Sequence, residues 1–220
     1  MLEQLHSLYP LSLEDVKWII ISFICWSSYY ILVERLELPL HYVNKTKQTT
    51  QTDLDLKNRI VAITHGLLTT FFAAYHFFSN PGTCGSLNTE YEKKMIQNTV
   101  GYFIYDFSAM AYYGLLDQAM TYHHWLCIIG MTVPLTYGQS ANFIVQGMFI
   151  SEVSNAYMHF RIILKQHGLR YTKSYEAMEI LFMVLYFIGR LVIGTGVVWN
   201  TISCQNNYTI VKLASVALFV

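Results

Sequence analysis

An acid in the middle of an apolar run constrains this chain more than any other feature. Residues 98–125, NTVGYFIYDFSAMAYYGLLDQAMTYHHW, place Asp106 inside a hydrophobic segment that runs from Met95 to Gly114. A short polar loop follows, and the pair His123–His124 opens the next hydrophobic segment. An ionisable group at such a place is costly, so it faces a protein interior and has a partner there. Composition agrees with a chain built for lipid. It is 54% hydrophobic and 13% charged, against about 25% charged residues in soluble domains. The formal net charge is zero, which argues against nucleic acid as a partner. The cysteines Cys25, Cys84, Cys127 and Cys204 show neither CxxC nor a Cys/His zinc spacing, so no metal and no cofactor is expected. The opening MLEQLHSLYPLSLEDVKW is acidic and polar. It lacks the basic n-region of a signal peptide and the Arg-rich character of a transit peptide.

Hydropathy along the chain predicts an all-α polytopic transmembrane bundle of six to seven helices. Residues 1–16 read as an outside stretch, with Ser12 and Asp15 resembling a helix start. The expected spans are 17–33, 60–78, 95–114, 125–137, 141–164 and 177–200, with 34–59 as the longest polar loop. Span four contains Pro134 and is short unless it extends back through His123. The final segment, Thr209 to Val220, is shorter than the ~20 residues a crossing needs. It is expected to be incomplete. One side collects Arg35, Lys45, Lys47, Lys57, Arg59, Arg161, Lys165, Arg170 and Lys173, and the other only Lys17, Lys93 and Lys94. The positive-inside rule puts the first side in the cytosol or the mitochondrial matrix, and the N-terminus on the opposite side. Cys84 and Cys204 then fall in loops on the oxidising side, where a disulfide or two free thiols are equally open readings. The sequon Asn207-Tyr208-Thr209 is also outside but too near the membrane to favour glycosylation.

The polar residues within the spans sort into an interior. Asp106, Glu152 and Arg190 are expected at mid-depth, with His65, His123, His124 and His159 toward the basic-loop end. Offsets of three and seven place Glu152, Asn155 and His159 on one helix face. The plain reading of Arg190 is that it neutralises Asp106 or Glu152, since buried charges in lipid need partners. The plain reading of His123–His124 is a pair of interfacial helix-capping histidines. The functional alternative is a general base or metal ligand. His76 and His167 read as solvated, His6 and His41 as loop residues. Tyr102, Tyr105, Tyr112, Tyr113 and Tyr122 read as packing. The chain has no set of histidine boxes for a di-iron desaturase and no GxSxG elbow for a hydrolase.

Several pieces together resemble the TLC-domain family, whose fold is shared by ceramide synthases and the translocating-chain-associating membrane protein. They are Asn58–Arg59 with His65 in NRIVAITHG, GYFIYDFS at 101–108, His123–His124, ISEVSNAYMHFR with Glu152, Ser154 and Asn155, and FIGRLVIG with Arg190. The resemblance is strongest to the TLC-domain-containing transmembrane branch. It divides the chain into 1–57, the first span with its polar loop, and 58–220, the TLC domain. It implies a helix bundle around a central cavity that handles lipid or acyl chains, in the endoplasmic reticulum or the mitochondrial inner membrane. In ceramide synthases a paired histidine and a later HD…D segment are implicated in transfer of an acyl group from acyl-CoA. Here His123 and His124 match the pair, and Asp106 is a further catalytic candidate, but Ser151-Glu152-Val153-Ser154 replaces the later segment. The expectation therefore leans away from an enzyme. Its partners would be membrane lipids. The alternative is a non-catalytic accessory subunit of a larger membrane assembly, for example a respiratory one, with other membrane subunits as partners.

Overall fold

The computed structural model describes residues 11–36, 47–80 and 82–219, with side chains of the second stretch from Gln51 onward. Seven helical rods follow one another: α1 (Leu13–Glu34), α2 (Lys47–Ser79), α3 (Glu90–Tyr113), α4 (Gln118–Tyr137), α5 (Ala141–Gln166), a composite rod, and α8 (Thr209–Phe219). The composite rod is α6 (Lys173–Tyr186), a π-helical stretch Phe187–Gly194, and α7 (Thr195–Ser203). Among the described residues there is no strand, only an isolated bridge between Leu87 and Gln139. Three rods are long and apolar enough to cross a membrane: Leu13–Glu34, Gln51–Ser79 and Lys173–Ser203. Helices α2, α3, α4 and α5 carry most of the buried polar groups and most of the buried core.

The helix ends follow from capping chemistry. Ser12 caps α1, and Asp15 returns the bond to the Ser12 N–H at 3.2 Å, closing a capping box. Thr89 and Glu92 do the same for α3, and Asp117 accepts from the Met120 N–H to cap α4. Gly114 and Gly138 end α3 and α4 in the left-handed conformation that glycine tolerates.

These ends correct several sequence expectations. The polar loop expected over 34–59 is helical from Lys47, so α2 projects past the apolar core. Its polar first turns present no apolar stripe, yet Leu56, Lys57 and Asn58 are buried. Helix α3 begins at Glu90 and α4 at Gln118, so His123 and His124 lie in the second turn of α4 rather than at its mouth. Residues 13–16 belong to α1 itself. The expectations for His6, His41 and Lys45 lie outside the described residues.

Helices α1 and α3 run parallel and touch closely. Gly101 makes this possible: a Cβ there would meet Ser22 Cβ at 2.6 Å and the Ile19 carbonyl at 2.8 Å. Small residues serve this purpose where packing rather than water drives association. Ser22 and Trp26 of α1 both hydrogen-bond Asn98 of α3, and Gln97 donates to Asp15 at 2.7 Å. Gly101→Ala is expected to force α1 off α3 and cost about 1–3 kcal/mol, read as a lower unfolding midpoint in detergent. An unchanged midpoint would show that α1 is not held at this contact.

At the end of the bundle where α2 meets α3, three loops are knitted together. Cys84 and Cys204 are disulfide-bonded, 5.6 Å apart at Cα. Asn88 donates to the Pro134 carbonyl at 2.7 Å and accepts from the Ala141 N–H at 2.9 Å. Ser140 donates its N–H to Ser86 and its hydroxyl to Asn207. Asn207, the sequon asparagine, is 4% exposed, and its amide nitrogen donates to the Thr201 carbonyl. A folded chain therefore offers no acceptor amide there.

Beside this cap His76 is buried, not solvated. Its Nε2 donates to Glu92 at 2.9 Å, while the other Glu92 oxygen completes the cap of α3. Sixteen residues and a turn-rich loop separate the two, so nothing local in the sequence signals the pair.

Candidate functional site

His123 and His124 are neighbours in sequence but point different ways, since successive residues of an α-helix are rotated by roughly a quarter turn or more. His124 is 1% exposed. Its Nδ1 lies 2.7 Å from the Met120 carbonyl, which only accepts, so Nδ1 carries a proton. Its Nε2 lies 2.8 Å from Asp106 Oδ2, and that contact holds a second proton on the ring or on the carboxyl. The other Asp106 oxygen accepts from Asn58 Nδ2 at 2.6 Å, and Asn58 in turn accepts from the Tyr105 hydroxyl at 2.7 Å. Both nitrogens of His124 and both oxygens of Asp106 are thereby engaged. The network clamps α2, α3 and α4 together.

His123 instead lines a cavity of about 130 Å³ with Glu152, Asn155 and Arg190. Its apolar wall includes Phe103, Met131, Phe143, Met148, Leu218 and Phe219. The lining comes from α3, α4, α5, the composite rod and α8. Helices α1 and α2 contribute nothing to it, so the cavity is off to one side rather than central. His123 also lies 3.7 Å from the Cys127 sulfur, one turn along the same helix. Asp106 and His124 are not among the lining residues.

Asn155 organises the polar end of this cavity. Its Nδ2 donates to Glu152 Oε2 at 3.2 Å, and its Oδ1 accepts from Arg190 Nη2 at 3.1 Å. The acid and the base are thus joined through an amide. Among the described residues Arg190 forms no ion pair with Asp106 or Glu152, which corrects the plain reading of that arginine. Its guanidinium instead lies 5.3 Å from the ring of Tyr186. Arg190 sits in the π-helical stretch, a geometry frequent at functional sites and not visible in a hydropathy pattern. Gly189 lets this stretch lie against α5, since a Cβ there would be 2.9 Å from the Ile150 carbonyl.

The remaining candidates are elsewhere. His65 stacks on Tyr102 with ring centroids 3.8 Å apart and meets Trp26 edge-on. The next residue, Gly66, faces the Glu152 carboxylate, so His65 lies close to the level of Glu152. His159 contacts Arg59 at 3.3 Å, and Arg59 is paired with Asp55 at 2.9 Å. Among the described residues no three His, Cys, Asp or Glu side chains gather as a metal site. Sequence reasoning passed over Asn58 as a network member and Cys127 as a neighbour of His123. The i, i+4 spacing of His123 and Cys127 was the available signal for the latter.

No solved structure matches the chain. A family model of the TLC domain matches residues 55–220, which covers the Asp106–His124 network and the whole cavity lining. With its apolar helices, this makes the protein an integral membrane protein and a member of the TLC-domain family.

Proposed function

We propose that the protein binds a lipid in the cavity between α3, α4, α5, the composite rod and α8. One observation carries this reading: His123, Glu152, Asn155 and Arg190 converge at one place on otherwise apolar walls. Binding sites combine such walls with a few placed polar groups. The cavity's size is close to that of engineered cavities of about 150 Å³ that accept benzene. It therefore takes a polar head and its first carbons, and a longer chain leaves between the helices. His124, with both nitrogens engaged, is a positioning residue for α4. His123 is the histidine available for proton transfer. An acyl transfer at this site would use it as the base toward an amine, with an acyl-CoA as donor substrate. The cavity binds its lipid without turnover.

The basic-loop end is assigned to the cytosol or matrix, and the disulfide end to the oxidising compartment of an intracellular membrane. A second reading, an accessory subunit in a larger assembly, is favoured by the composite rod. No residue of α6 is buried, and 11% of the rod's apolar window is.

Purification in mild detergent with mass spectrometry of co-purifying lipids and proteins separates the two. One stoichiometric lipid, lost in His123→Ala while the chain remains monodisperse, is the expected result. A constant set of protein partners with no specific lipid would replace the binding reading with the subunit one.

A further inference from the structure

We infer that the lipid held in this cavity carries a carboxylate headgroup, bound by the guanidinium of Arg190; the inference rests on the cavity being a lipid site. Arg190 Nε is buried and has no hydrogen-bond partner. The hydrogen bond that the guanidinium does make goes to a neutral amide oxygen, that of Asn155. A guanidinium has five N–H donors in a rigid fork. Here it is placed in the middle of an apolar rod, forms no direct ion pair among the described residues, and meets Glu152 only through the amide of Asn155. Burying a cation without an anion is costly, and the cost is removed when a ligand supplies the anion.

The other charged group of the cavity does not fill that role. Glu152 directs one oxygen to Asn155, and its carboxylate packs at Gly66 of α2, where a Cβ would lie 3.1 Å from Oε2. Asn155 stands between the two charges. A carboxylate matches the arginine fork with parallel N–H···O bonds. It is also the smallest anionic lipid head, which suits about 130 Å³ of space. A glycerophosphate head would set its own polar backbone against the apolar Phe103, Phe143 and Met148, whereas the first methylenes of a single acyl chain match them.

The test uses the full chain in phosphatidylcholine nanodiscs with three radiolabelled single-chain probes: stearate, methyl stearate and stearoyl lysophosphatidate. Stearate is expected to bind about tenfold or more tightly than methyl stearate, the ratio that one charge-assisted contact yields. Arg190→Gln is expected to bring stearate down to the affinity of the ester, and an unchanged elution profile and unfolding midpoint show that the variant is folded. Arg190→Lys keeps the charge without the fork and is expected to fall between. Equal binding of acid and ester by the unaltered protein would overturn the inference while leaving the lipid site standing, and this comparison needs no variant. Tighter binding of lysophosphatidate than of stearate would also overturn it. Failure of all three probes would remove the lipid reading itself.

Discussion

Asp106→Ala is expected to destabilise the protein by about 3–5 kcal/mol, the range for removing one partner of a buried charged pair. The variant strips acceptors from both Asn58 Nδ2 and His124 Nε2, and both residues are buried. The damage spreads because the network spans α2, α3 and α4. Asp106→Asn is expected to be far milder. The introduced amide is isosteric, its oxygen still accepts from Asn58, and its N–H can donate to a neutral His124 ring whose Nδ1 proton stays on the Met120 carbonyl. Thermal unfolding of both variants in detergent checks this. If alanine and asparagine lower the midpoint equally, the charge itself rather than the hydrogen-bond geometry holds these helices.

Removing the disulfide is the second large effect. Cys84 and Cys204 are 120 residues apart, and a cross-link across so long a loop restricts the unfolded chain most. Loss of about 2–4 kcal/mol is expected for Cys84→Ser/Cys204→Ser, with slower mobility on a non-reducing gel. Reducing agent is expected to produce the same shift in the unaltered protein. Unchanged mobility in the variant would show that the two thiols are not joined.

Much of the architecture was legible because lipid imposes a simple rule. The apolar runs announced the helices, and their number and order hold. The first turns of α2 escaped notice because they are a helix outside the apolar layer, where NKTKQTTQTDLDLKNR reads as a solvated loop. The candidate residues were nearly all named from sequence, since an ionisable group within an apolar run is conspicuous. Their grouping was not. Whether His123 or His124 faces Asp106 depends on the rotation of α4 about its axis, and that is fixed by contacts from α3, α5 and α8. The interposition of Asn155 between Glu152 and Arg190 depends likewise on how a π-helical stretch seats against α5. Periodicity computed at a regular pitch has no means of seeing a change of pitch.

The knitted loops have a mechanical consequence. Loops 79–89, 138–140 and 204–208 share a covalent bond and several hydrogen bonds, whereas loops 114–117 and 167–172 bond within their own turns. The disulfide pole is therefore tied through its loops, and the opposite pole through side chains along the helices, Arg59 to His159, Gln166 to Asp55 and Tyr113 to Glu34. At the disulfide pole the helices are fastened to one another like the staves of a basket at its base.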